Sequence, residues 1–136
     1  MIAAHLPALQ VVVPLISAPL CLLLRRPGAA WTVALAVSWF ALAVALSLLI
    51  EVSIGGPVSY PIGDWAAPWG IEYRVDQVGA LVLVIVTAIG AVVMPFAGAS
   101  VAHEIASDRA YLFYTMYLLC LTGLLGIAIT GDVFNL

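Results

Sequence analysis

Catalysis or ion transfer needs ionisable, metal-binding or nucleophilic side chains, and this sequence carries few. Seven acidic residues, four arginines, two histidines and two cysteines are spread over 136 residues, with no lysine. Cys21 and Cys120 sit in separate apolar runs without metal-ligand spacing, which reads as helix packing. His5 stands at the extreme start of the first apolar run and reads as a surface residue. Glu51 closes the second run and is placed to reach an interface. HEIASDR (103–109) reads as a polar connection in which Ser107 or Asp108 can cap the next helix. Tyr111, Tyr114 and Tyr117 recur every three residues, a spacing that suits helix packing or interfacial anchoring. There is no glycine-rich phosphate loop, no paired Cys/His set and no nucleophile elbow. The residues therefore predict no catalytic centre, no cofactor and no metal.

One acidic residue is placed differently. In ITGDVFNL (129–136) an apolar run reaches Gly131 and Asp132, and apolar character resumes at Val133. Asp132 there is suited to N-cap a further helix beginning VFNL, because its carboxylate accepts from first-turn amides and favours the positive end of the helix dipole.

The elements around these residues follow from composition. The chain is 65% hydrophobic and 8% charged, with a mean hydropathy of +1.22. A soluble domain of this size cannot bury so much apolar surface, so the bilayer is the expected solvent. A net charge of −3 argues against a nucleic-acid partner. Positive charge follows the first apolar run instead of preceding it, at Arg25 and Arg26, so the run reads as a retained membrane segment and not a cleaved signal.

Crossing about 30 Å of hydrocarbon takes about 20 helical residues. Four runs are long enough: 5–24, 30–51, 77–100 and 110–130. None has a charge in its central part, and in lipid each must satisfy its own backbone as an α-helix. Intramembrane charge, the usual mark of an ion pathway, is absent from these runs. Arg25, Arg26 and Arg109 fall on one side of this arrangement. The positive-inside rule then makes loops 25–29 and 101–109 cytoplasmic and puts the N-terminus and the 52–76 loop outside.

That outer loop is expected to be structured. IEYRVD (71–76) alternates apolar and polar residues as a half-covered strand does, and VSYPI (58–62) supplies a partner that Pro61 confines to an edge. GDWAAPWG between them provides a turn, with Trp65 and Trp69 as interfacial anchors. Pro14 and Pro95 are placed to kink spans one and three. Ala34, Ala36, Ala41, Ala43 and Ala45 in span two, and Gly123 and Gly126 in span four, are positions where neighbouring helices can approach closely.

Two stretches resemble a known family. WAAPWGIEYRVDQVGALVLVI (65–85) is similar to the loop leading into a long helix in antiporter-type membrane subunits. LTGLLGIAITGDVFNL (121–136) resembles that family's glycine-rich helix followed by G-D-(apolar)-F-N-L. The family includes ion-translocating subunits of Mrp-type Na⁺/H⁺ antiporters and the antiporter-like subunits of respiratory complex I and membrane-bound hydrogenases. The resemblance implies an all-α transmembrane fold: four spanning helices with a small outer hairpin, forming the N-terminal part of a bundle of about fourteen helices with two inverted repeats. Residues 1–109 would precede the first repeat and 110–136 would begin it. Asp76, Gly131, Asp132 and Asn135 match motif positions and take positioning roles. The family's proton-carrying glutamate and lysines match nothing in this chain. The resemblance further implies a bilayer, other membrane subunits, protons and a monovalent cation such as Na⁺ as partners.

Two classes of function are then expected. The chain is the N-terminal portion of an ion-translocating subunit, in a cation/proton antiporter or in a redox-driven complex. Alternatively it is a small scaffold or assembly protein that transports nothing. On the first, the reading frame beyond Leu136 continues into a helix bearing a glutamate.

Overall fold

The structure, a computed structural model, describes residues 5–61, 72–106 and 108–129. It contains α1 (Leu6–Leu24), α2 (Pro27–Gly55), β1 (Val58–Pro61), β2 (Glu72–Val75), α3 (Gln77–Glu104) and α4 (Ala110–Ile129). All four helices are long and apolar enough to cross a membrane. α2 packs against α1, α3 and α4, and α4 also packs against α1 and α3. The helices thus form a four-sided bundle with α2 and α4 on its short diagonal.

Two-residue chemistry makes the first reversal. Arg25 adopts the left-handed conformation at the end of α1 (φ 53°), with its amide donating to the Cys21 carbonyl at 3.4 Å. Arg26 is extended, as a residue before proline must be, and Pro27 starts α2 with its φ already helical. The predicted loop 25–29 is therefore only Arg25 and Arg26. At the other end α2 continues to Gly55, so Glu51 lies a turn inside the helix and not at its end. α3 likewise runs to Glu104, which shortens the predicted 101–109 loop and puts His103 in a last helical turn. Both extensions have one cause: polar residues beyond the hydrocarbon need not end a helix whose backbone ladder is already propagating.

β1 and β2 form the expected hairpin, antiparallel with Val58 opposite Val75 and Pro61 opposite Glu72. It is a minor element, but it is tied down. Val75 is wholly buried among Leu48, Val52, Ala80, Leu125 and Ile129. That single apolar side chain plugs the end of the bundle where α2 stops and α3 begins. Trp65 and Trp69, read as anchors, lie outside the described residues.

The core divides along the bundle axis. One cluster, with Leu48, Leu83 and Leu125, fills the hairpin end. The other, with Met94, Tyr114 and Leu118, fills the arginine end. α1 and α3 pass unbroken through Pro14, Pro19 and Pro95. Hydroxyls within the helices are satisfied locally: Ser17, Ser38, Thr87, Thr115 and Thr122 each donate to the carbonyl four residues back. In lipid, where water offers no alternative, this is the cheapest way to carry a hydroxyl.

Candidate functional site

The described residues hold no cluster of His, Cys, Asp or Glu able to bind a metal ion. What lies at mid-depth is a junction of uncharged polar groups. Ser38 of α2, Gly90 of α3 and Tyr117 of α4 each lie within about one turn of the middle of their helix. The Tyr117 hydroxyl and Ser38 Oγ are 2.7 Å apart. Ser38 also sits 2.7 Å from the Ala34 carbonyl, which can only accept. The arrangement that satisfies every atom has Ser38 donating to Ala34 and Tyr117 donating to Ser38. Gly90 makes room for this, since a Cβ there would lie 2.5 Å from the phenolic oxygen. Neither hydroxyl is charged near neutral pH, so the junction joins three helices without supplying an ion carrier.

A second fastening lies nearer the arginine end. Trp31 Nε1 donates to the Met94 carbonyl at 2.9 Å, and its indole edge rests on Gly98. A Cβ at Gly98 would meet three indole atoms at 2.8 to 3.3 Å. At the hairpin end, Asp76 caps α3. Its carboxylate accepts from the Gly79 amide at 2.6 Å, which also places negative charge at the positive end of the helix dipole. Gly79 itself would crowd the Ala128 carbonyl of α4 if it bore a Cβ, at 3.1 Å. The α3 start and α4 end therefore meet backbone to backbone. Asp76→Ala is expected to lower bundle stability by about 1 kcal/mol, with Asp76→Ser keeping most of it. An unfolding titration in SDS reads this directly, and an unchanged midpoint for the alanine variant would show that the cap carries no weight.

One buried group stands apart. Gln10, on the inward face of α1, is wholly buried, and neither its Oε1 nor its Nε2 has a hydrogen-bond partner among the described residues.

Of the residues singled out in the sequence, Asp76 stands at the N-cap of α3. Gly131, Asp132 and Asn135 lie outside the described residues, as does Ser107. Asp108 is exposed, and the turn into α4 is closed instead by the Arg109 amide donating to the Ala106 carbonyl. Cys21 is buried against the α2 start, whereas Cys120 is exposed on α4 instead of packed. Ala34, Ala41 and Ala45 are buried between helices, but Ala36 and Ala43 face outward. Around Gly123 and Gly126 nothing among the described residues lies within 4 Å of where a Cβ would be. The close approaches are at Gly79, Gly90 and Gly98, all on α3. Ser38, Trp31 and Gln10 were legible only as polar or amphipathic residues inside apolar runs, with nothing to name their partners.

Comparison with known proteins gives this geometry a context. No protein-family model matches the chain. It is 35% identical over 141 residues to an NADH-quinone oxidoreductase subunit of Desulforudis audaxviator, covering 98% of this chain and 27% of that protein. It is 32% identical over 95 residues to a Na(+)/H(+) antiporter subunit of Alkalihalophilus pseudofirmus, covering 70% of this chain and 19% of that protein. A chain of the Mrp complex from Dietzia sp. matches its structure with a TM-score of 0.85 at 29% identity, over 99% of this chain and 24% of that one. The chain thus spans about a quarter or less of the length of the curated relatives it matches, from the 27% and 19% coverages.

Proposed function

Because this chain belongs to the family of antiporter-like membrane subunits, we propose that it forms the N-terminal four-helix part of an ion-translocating subunit in a multi-subunit cation/proton antiporter. The observation that carries this reading is the match of 99% of the chain to the Mrp complex fold. The role assigned to these helices is structural. They are locked by uncharged contacts at Ser38–Tyr117 and Trp31–Met94 and hold an outer hairpin against the bundle. Proton and cation movement, with Na⁺ as the exchanged ion, then belongs to helices with intramembrane charge, which α1 to α4 lack at mid-depth. Asp76 positions the start of α3, while Gly131, Asp132 and Asn135 take the join between α4 and a following helix. Trp65 and Trp69 hold the loop at the interface.

The full chain alone in proteoliposomes is expected to give no Na⁺-dependent proton flux, whereas membranes carrying it with its partner subunits exchange the two ions. Robust flux from the chain alone, or undiminished exchange from a complex lacking it, would overturn the assignment. The 35% identity to a quinone oxidoreductase subunit favours a second reading, a redox-driven complex. Quinone reduction coupled to proton movement in the same membranes, without cation exchange, selects it.

In the proposed orientation the hairpin faces outward and Arg25, Arg26 and Arg109 face the cytoplasm. A Ser53→Cys variant is then labelled by an impermeant maleimide in intact cells, and Ala106→Cys only after permeabilisation. The reverse pattern would invert the topology.

A further inference from the structure

A cleft of about 490 Å³ opens on the outside of the bundle between α2, α3 and α4 at the arginine end. Its floor and walls include Gly28, Trp31, Gly98, Ala99, Ala102 and Tyr114. The small residues on α3 leave the depth of the cleft unfilled. The Trp31 indole is held across Gly98 by its bond to the Met94 carbonyl, so its polar edge is spent and an apolar surface remains. From Pro95 to Ala102 the cleft follows α3 for about 10 Å, parallel to the lipid chains of a bilayer crossed by this helix.

Arginines stand close in sequence to two of the residues that line the cleft. Gly28 lies two residues after Arg26, and Ala110, which also lines the cleft, directly follows Arg109. Both arginines are exposed, as is Arg25, and among the described residues none of the three has a carboxylate partner. The other charged groups at this end are His103, Glu104 and Asp108. Glu104 lines a different groove, with Phe96 and Phe113. Asp108 is exposed in the turn before Arg109.

An apolar cleft at acyl-chain depth, with two exposed arginines next to its lining residues in sequence and without a carboxylate partner among the described residues, matches one kind of molecule. We infer that this cleft is a binding site for an anionic phospholipid, with an acyl chain along Gly98, Ala99 and Ala102 and its phosphate between Arg26 and Arg109. A free phosphate would leave the cleft empty, and a zwitterionic lipid would gain less from the two cations. Such a lipid would reach across the outside of the bundle from the starts of α2 and α4 to the end of α3.

The test uses Trp31 as the reporter. The full chain with Trp39→Phe, Trp65→Phe and Trp69→Phe, leaving Trp31 as its one tryptophan, is reconstituted into vesicles whose phosphatidylglycerol or phosphatidylcholine carries brominated acyl chains. Phosphatidylglycerol is expected to quench Trp31 more strongly at equal mole fraction. Arg26→Gln and Arg109→Gln should each reduce that preference by roughly fivefold, the attraction of one cationic side chain at a membrane surface. Arg26→Lys with Arg109→Lys should retain it, which separates loss of charge from loss of fold. Ala102→Leu, at an exposed position in the cleft, should remove the excess quenching while leaving the Trp31 emission maximum in place. Equal quenching by the two lipids, or a preference that survives removal of both arginines, would overturn the site. Quenching by neither lipid would mean that a protein segment covers the cleft, and would overturn it too.

Discussion

Replacing Gly90 with alanine is expected to destabilise the bundle by about 2 kcal/mol, the cost of forcing one methyl group against the Tyr117 phenol. The new Cβ would stand 2.5 Å from the Tyr117 hydroxyl, far inside contact distance. Swinging the phenol aside would break its 2.7 Å bond to Ser38. Moving it loses a hydrogen bond between helices where no water can replace it, worth about 0.6 kcal/mol in bilayer proteins. The chemistry also supplies a rescue. With Tyr117→Phe the oxygen is gone, and the nearest ring atom to the new Cβ is the ring carbon at 3.7 Å, an ordinary contact. In that background Gly90→Ala should cost nothing, or stabilise by up to about 1 kcal/mol through the better helix propensity of alanine. A double-mutant cycle read by SDS unfolding therefore has a large coupling with a predicted change of sign. Additive effects at the two sites would show that the phenol does not occupy the space Gly90 leaves open.

Gln10→Met should move stability the other way. The side-chain amide is wholly buried with both polar atoms unpartnered among the described residues, a state that costs about 1–3 kcal/mol per buried group. Methionine has a similar volume and flexible shape, so it removes the polar atoms without leaving a cavity or forcing the helices apart. The isolated chain should then resist SDS unfolding by about 1–3 kcal/mol more than the parent. A drop in stability for Gln10→Met would mean that the amide has a partner within the folded chain. A gain in the isolated chain with a loss in the assembled complex would place the partner in another subunit.

Much of the architecture was legible in residue order alone. Length and apolarity select four helices because a bilayer accepts few other ways of hiding the backbone. The alternation in IEYRVD marked β2, and VSYPI marked its partner. Helix ends were less legible: α2 and α3 continue about a turn past the apolar residues, since nothing at Glu51 or His103 stops a formed helix. The small residues show the limit most clearly. Alanines and glycines in α2 and α4 advertised close approach, yet among the described residues it is Gly79, Gly90 and Gly98 of α3 that meet other helices. A glycine in an apolar run looks the same in either case, because which face it occupies depends on how the helix is rotated in the bundle.

By itself, then, the sequence determined the membrane as solvent, the four spans, the hairpin between the second and third of them, and the absence of charge at mid-depth of those spans. These follow from transfer free energy and backbone hydrogen bonding, which act on each segment separately. Only the tertiary structure decided which polar groups meet. It joined Tyr117 to Ser38 across 79 residues of chain and Trp31 to Met94 across 63, and it left Gln10 without a hydrogen-bond partner among the described residues. Such pairings depend on helix rotation and neighbour order. Those are set by side-chain packing between segments far apart in sequence, because lipid tails are as apolar as the helices and hydrophobicity alone cannot choose among the faces.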